Sequence, residues 1–427
     1  MSVTVITAPN ELNSVYNDVL VELQREDFGI SSINGTTLVL SGGGSSRLNT
    51  GDYVYIYGED AGGNPETKYT TIASKTNDTT YTLSEGFSSV IASGYVNSDD
   101  VNEDYYIALL VGDEVYTKVV PDASGLATAY IQENLIYLLD AENNKNYSTK
   151  YSSDEVICTS FTLKYAEVYT QDQQALQTIG TYYCCFAALD YTDMSDYVIE
   201  PSGTPNTNFA KFMTEFTRSA YWNNQNFDVQ IFSSWSSANL QVKEEKHLKD
   251  GTTSTDTYSL SDYSAKMNRI MLNGSYSGVS YINLYIYDTV RDRLTEKLRI
   301  DIYDECSNSL QVAWVNTLGG IDYWNFLIRQ DYAIDINTDN TIVLEDEEFD
   351  LQKTARKKIT VYADDISTNY QSGLEGLYYC LQAWAYIGGE YVKVRIAPGS
   401  FTLYRSDLDH FSIQCELILE KLNLGHL

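Results

Sequence analysis

The chain has 427 residues, room for two to four domains at roughly 100–200 residues each, and its 28 Lys+Arg against 59 Asp+Glu give a formal charge of −31. A surface so poor in clustered cations excludes a nucleic-acid backbone as a partner over the general surface, because phosphate neutralisation needs Lys and Arg. A hydrophobic content of 43% with 37 tyrosines equally excludes charge-driven disorder, so the chain is expected to fold.

The N-terminal MSVTVITAPN (Met1–Asn10) shows no basic n-region, apolar stretch or small-residue cleavage site, which predicts no export by the general secretory route. Ser14–Leu23 (SVYNDVLVEL) reads as a strand. From Ile33 to Val96 the segments INGTTLVL, GDYVYIYG, TKYTTIAS and TTYTLSEGF alternate with period two between Gly- and Asn-bearing turns. Turn signals every 8–12 residues or so predict a small β-barrel, inserted into a leading sandwich whose other strands lie in Tyr105–Val120. Beyond Pro121, Leu126, Ile131, Leu135 and Leu138 recur at helical spacing and predict an amphipathic helix over Ala127–Asp140.

The Asn-, Lys- and Ser-rich stretch Glu142–Asp154 marks a boundary. After it, FTLKYAEVY, TYYCCFAAL, FDVQIFSSW, NRIMLNGSY and SYINLYIYD read as strands, being rich in β-branched and aromatic residues. Between them Phe209, Phe212, Met213 and Phe216 fall at i, i+3, i+4 and i+7, predicting a helix over Asn208–Trp222. The acidic run Glu345, Asp346, Glu347, Glu348 (continuing to Asp350) stands before the basic cluster Lys353–Lys358; it predicts a solvated loop entering a charged edge strand. Strands then recur through Ile359–Leu422, with a Gly388-Gly389 hairpin signal. The fold class is thus mainly β: several antiparallel sandwich or small-barrel domains in series, with a few short amphipathic helices. The domains are expected at 1–32 plus 97–145, 33–96, 146–345 and 346–427.

Chemistry-bearing patterns are scarce. Cys158, Cys184, Cys185, Cys306, Cys380 and Cys415 have no CxxC spacing and no histidine at zinc-ligand distance in sequence, and read as buried reduced thiols. His247, His410 and His426 lack the setting of a catalytic triad. Gly42-Gly43-Gly44 lacks the Lys-Ser/Thr of a phosphate loop. No apolar run nears the roughly 18 residues of a spanning helix; the nearest, Tyr378–Ile387, is broken by Gln382. The expectation is a protein without catalysis, cofactor, metal or membrane span. An alternative is a carbohydrate-binding, adhesin-like β protein, with Trp222, Trp235 and Trp384 as rings on which a sugar could stack.

One segment stands apart. Leu310–Phe326 (LQVAWVNTLGGIDYWNF) gathers Trp314, Tyr323, Trp324 and Phe326 around Gly319-Gly320, as a rigid aromatic hairpin would. Through Trp314, Asn316, Leu318, Gly319, Gly320, Asp322, Tyr323, Trp324 and Phe326 it resembles a motif of virion tail proteins from tailed phages and prophages of Bacteroidetes hosts, crAss-like phages included. The order VYNDVLVEL, YYIALLV, VVPDASGLATAYIQENLIYLL is similar to the leading sandwich domain of the same proteins. The resemblance implies a structural tail component of ring, hub or distal baseplate type. Such a protein is assembled in the host cytoplasm, forms homo-oligomers and contacts other tail proteins. On that reading the four hairpin aromatics and Glu345–Glu348 are the candidate interaction residues.

Overall fold

Period-two alternation over Tyr53–Asp60 and Pro65–Lys75 puts Val54, Ile56, Thr70 and Ile72 inward and tyrosines and threonines outward, which is how a half-buried strand is built. The computed structural model describes residues 3–25, 28–41, 48, 50–77, 79–97, 106–112, 115–122, 126–139, 151–153, 158–169, 172–173, 175–188, 194–235, 237–260, 267–272, 276–327, 329–344, 347–398 and 410–424. The chain is mainly β, in several sheets and one closed barrel, and divides into two compact units.

The first unit comprises residues 1–10, 18–135 and 161–182. Its barrel closes six strands, Phe28–Asn34, Thr37–Leu40, Thr80–Leu83, Pro65–Lys75, Tyr53–Asp60 and Ile91–Asn97, in that spatial order, and so leaves no open edge. Ile33, Leu38, Val54, Ile56, Ile72, Tyr81, Ile91 and Val96 fill it. Beside the barrel in sequence, Leu20–Arg25 pairs with Val3–Thr7 and Leu126–Tyr130, and Tyr106–Val111 pairs with Val115–Val119 and with the strand through Leu163–Val168. Two expectations change here. Ser14–Leu23 is divided between the strands Leu12–Ser14 and Leu20–Arg25. The helix expected over Ala127–Asp140 is a strand, Leu126–Tyr130, followed by the short helix Gln132–Ile136. Antiparallel pairing of Ala127 and Ala129 with Leu23 and Val21 outweighs the local helical spacing.

The second unit comprises residues 11–17, 136–160 and 183–427. A four-stranded sheet runs Tyr151–Ser153, Met267–Met271, Asp228–Ser233, Val198–Ile199. A six-stranded sheet is led by Ser219–Trp222 and Leu298–Tyr303, followed by Val279–Asp288, Leu240–Leu248 and Thr253–Ser259. A seven-stranded sheet runs Ile321–Leu327, Ser309–Val315, Ala383–Ile387, Glu390–Ile396, His410–Leu424, Glu347–Ser367, Gln330–Leu344. The boundary expected at 345/346 therefore falls between two neighbouring strands of one sheet. The acidic run leads into that sheet: Glu347 and Glu348 lie on the backbone of Glu347–Ser367, opposite Leu344 and Val343, while Glu345 and Asp346 lie outside the described residues.

The helix expected over Asn208–Trp222 is absent. Phe212, Met213 and Phe216 are buried as that spacing requires, but the backbone donors find partners in distant segments: Ala210 N–H on Leu294, Lys211 N–H on Asp196, Met213 N–H on Gln230. A chain so satisfied gains nothing from i→i−4 bonds. Among the described residues no helix is long and apolar enough to cross a membrane.

Candidate functional site

The aromatic hairpin forms as its sequence suggests. Ser309–Val315 pairs with Ile321–Leu327 in register Val315↔Ile321 to Ser309↔Leu327. Asn316 fixes its turn. Its Oδ1 accepts the N–H groups of Leu318 at 3.1 Å and Gly320 at 2.9 Å; its Nδ2 donates to Asp322 Oδ2 at 2.8 Å and to the carbonyl of Met213 at 3.0 Å. Gly319 takes the left-handed conformation at φ 85°, which favours glycine. Thus Asn, Gly-Gly and Asp of the motif are parts of one turn, and all its side-chain bonds are internal.

The hairpin is a wall between two cores, not a surface. Trp314, Tyr323, Trp324 and Phe326 are 0%, 2%, 6% and 0% exposed. Val312, Trp314, Trp324 and Phe326 face a core with Phe216, Trp222, Tyr370, Leu374 and Leu377, where Trp324 meets Trp222 edge-on at 5.1 Å and Tyr370 at 5.2 Å. Ala313, Val315, Ile321 and Tyr323 face the other core. The four rings expected to contact partners are consequently structural, because both faces of the hairpin are covered by the chain itself. Trp222 and Trp384, two of the sugar-stacking candidates, are likewise buried at 6% and 3%, and Trp235 is half-buried under the Arg291 guanidinium at 4.8 Å.

Two polar clusters pin this wall. On one side Arg269 and Asp228, both buried, form a bidentate pair with Nη2–Oδ1 at 2.7 Å; the Tyr323 hydroxyl and Gln230 amide also donate to Asp228. Gln230 Oε1 in turn accepts the N–H of Ile321 at 2.7 Å. At the turn, Asp322 accepts from Thr214 Oγ1, Asn316 Nδ2 and the N–H of Glu215. Glu215 Oε1 accepts from the hydroxyl and N–H of Thr317, and its Oε2 has no hydrogen-bond partner. Thr214, Glu215, Phe216, Ser372, Glu375 and Tyr379 line a cleft of about 450 Å³. The helix Gln371–Tyr379 approaches closely through Gly373, where a Cβ would strike the Phe216 ring, and Gly376, where it would strike Glu215 Oε2.

Burial, with the Glu215 charge adding, pushes the Asp322 carboxyl up to about 7, and burial raises Glu215 as well. The folded chain then holds a proton on Asp322 that the unfolded chain releases near pH 3.9. Its contribution to stability is full below about pH 4 and is lost as pH rises through about 7. Urea midpoints are expected to fall between pH 5 and pH 8, and Asp322→Asn is expected to flatten that fall; an unchanged slope in the variant would remove Asp322 as its source. Asp322 is committed to three internal donors, so the carboxylates brace the turn.

Cys184 and Cys185 are fully buried, and burial pushes the Cys184 thiol up to about 12 and Cys185 higher still. Those are inert thiols. His247 stacks on Tyr281 at 4.2 Å and pairs with Glu245 at 3.0 Å, while His410 is exposed at the start of His410–Leu424.

Unabsorbed surface lies at the open edge of the seven-stranded sheet. In Gln330–Leu344, Tyr332, Ile334 and Ile336 are 71%, 58% and 58% exposed. They stand opposite Ile359, Lys357 and Ala355. Ile359 and Ala355 are buried at 3%, with Lys357 between them exposed, so an apolar face covered at Ala355 and Ile359 runs on uncovered over Tyr332, Ile334 and Ile336 of the edge strand. The other face is polar: Lys358 pairs with Asp335 at 2.5 Å and Glu416 at 3.0 Å, and the Tyr362 hydroxyl donates to Asp331 at 2.7 Å. The alternation Asp331, Tyr332, Ala333, Ile334, Asp335, Ile336 was the sequence signal for this face.

No family model and no curated protein matches the chain. Among solved structures, it is similar to the chicken interferon gamma receptor alpha chain at TM-score 0.14 and 10% identity, over 49% of this chain and 90% of that one. It is also similar to a tetra-tandem repeat in the extending region of a large adhesion protein at TM-score 0.17 and 10% identity, over 100% and 99%. Likenesses this weak bear on neither fold nor function.

Proposed function

We propose that the chain is a structural subunit of a bacteriophage tail, of ring, hub or distal baseplate type, that assembles with copies of itself and with other virion proteins. The motif resemblance of Leu310–Phe326 and of the leading strands supports the tail assignment. The observation that carries assembly is the edge strand Gln330–Leu344, whose apolar row Tyr332, Ile334, Ile336 continues a core face beyond its cover. An open strand edge with an exposed apolar row is a site for another chain to add to. Head-to-tail contacts of this kind close into rings when the rotation allows it.

Net charge sets the conditions. Copies carrying −31 each repel within a Debye length of about 8–10 Å near physiological salt. Added salt is therefore expected to promote the oligomer, as native mass and negative-stain images across an ionic-strength series will show. Ile334→Asp places a carboxylate opposite Lys357, so the strand keeps its fold while the apolar row is interrupted. The variant is expected to remain monomeric under conditions where the parent assembles. A parent that stays monomeric throughout, or a variant that assembles equally well, would overturn this function for the edge.

A further inference from the structure

The barrel carries a second exposed surface, of different chemistry. Along Tyr53–Asp60 the outward positions are Tyr53, Tyr55, Tyr57 and Glu59. Tyr69 lies directly across from Tyr55 on one neighbouring strand, and Tyr95 directly across from Tyr57 on the other. Tyr53, Tyr69 and Tyr95 are 64%, 63% and 37% exposed, and Tyr55 and Tyr57 are half-buried between them. The ring centroids of Tyr55 and Tyr69 are 4.7 Å apart; those of Tyr57 and Tyr95 are 5.4 Å apart and nearly parallel at 20°. Three adjacent strands thus present a continuous tyrosine platform on a closed barrel.

We infer that this platform binds a neutral glycan by stacking sugar rings on the tyrosines. Three features select that occupant. First, the rings are interspersed with hydroxyl and carboxylate groups, Thr67 and Thr71 opposite Tyr57 and Tyr53, and Ser93 opposite Glu59, with Pro65, also opposite Glu59, an apolar neighbour at the end of the row. A sugar offers C–H faces to rings and hydroxyls to such neighbours; an aliphatic protein patch offers only the first. Second, the charge of the face matches an uncharged polyol. The neighbouring lysines are engaged elsewhere, Lys68 on the carbonyl of Gly86 and Lys75 over the Tyr81 ring at 5.6 Å, so nothing there attracts a polyanion.

Third, the platform is set before any ligand arrives. Tyr57 donates to Glu59 Oε1 at 2.7 Å, and each inner ring is braced by its cross-strand partner. Gly94, at φ 145°, lets Ile91–Asn97 lie against Tyr57 where a Cβ would collide with the Tyr57 carbonyl and sit 2.7 Å from Gly58 Cα. That close approach brings Tyr95 beside Tyr57. Rings already held in place lose little entropy on binding. The site is independent of the edge strand in the second unit, and its ligand is separate from the assembly contacts proposed above.

The test is native affinity electrophoresis of the full chain through gels containing laminarin, α-mannan, xylan or galactomannan, with alginate as the polyanionic control. Retardation by at least one neutral polysaccharide is expected, and none by alginate. Tyr55→Ala and Tyr69→Ala should each weaken it about tenfold, roughly the loss of one stacking ring. The variants keep the aliphatic barrel core intact, so their thermal midpoints should stay within about 2 °C of the parent. The proposal fails if no neutral polysaccharide retards the chain, if the alanine variants are retarded like the parent, or if they lower the native mass instead, which would make the face a contact between copies.

Discussion

Replacing Asp228 by alanine is expected to destabilise the second unit by about 3–5 kcal/mol, because it strands a guanidinium in a dry core. Arg269 is 0% exposed and Asp228 1%. After the substitution the Tyr323 hydroxyl, at 3.2 Å from Arg269 Nη2, loses its own acceptor as well. Against a total stability of about 5–15 kcal/mol, a loss of that size puts a large fraction of the unit within reach of unfolding. All the tryptophans, Trp222, Trp235, Trp314, Trp324 and Trp384, lie in this unit, so indole fluorescence in urea reads it alone. The Asp228→Ala, Arg269→Met double variant should recover much of the loss, since removing both charges removes the desolvation penalty with the attraction. A single variant costing less than about 1 kcal/mol, or a double whose cost is the sum of the singles, would show that the pair is not what braces Tyr323.

How much of this was legible in the residues depends on where the partners lie. The barrel was readable because Val54, Ile56 and Ile72 alternate with tyrosines and threonines, and the period of a strand is a local property. Leu310–Phe326 was readable as a hairpin for the same reason, through Asn316 and Gly319-Gly320. Its rings were misplaced at an interface, although the signal against that was present: Val312, Ala313, Trp314 and Val315 leave no polar face, and a strand without one is covered on both sides. Phe209, Phe212, Met213 and Phe216 show the opposite failure. Their helical spacing marks buried positions correctly, but the bonds that decide the backbone come from Asp196, Gln230 and Leu294, which no local period can display. The edge strand shows a third limit. Asp331, Tyr332, Ile334 and Asp335 alternate as a half-buried strand does, and a sequence cannot say whether the cover belongs to the same chain. Nor could the tyrosines of Tyr53–Asp60 be ranked above the others before closure of the barrel fixed which face points out.

Gly320→Ala is the second substitution of large expected effect, at about 3 kcal/mol or more, and it tests why the Leu-Gly-Gly turn tolerates no side chain there. A Cβ on Gly320 would fall inside the contact shell of the Met213 carbonyl oxygen and 2.9 Å from Gln230 Oε1. Neither neighbour is free to yield. The Met213 carbonyl accepts from Asn316 Nδ2, and Gln230 Oε1 accepts from the Ile321 N–H. Any shift that relieves the clash therefore breaks a buried hydrogen bond of the turn or of the cluster that holds Asp228, and the two losses compound. Gly388→Ala supplies the comparison from the opposite cause: its φ of 66° is left-handed, whereas that of Gly320 is not, and nothing lies within 4 Å of the added carbon. That change should cost only the conformational strain of about 1–2 kcal/mol. Indole fluorescence in urea ranks the two. A cost at Gly320 no larger than that at Gly388 would mean that Met213 and Gln230 yield to the added carbon, whereas a clearly larger cost shows that the motif is defined by their close packing against Gly320.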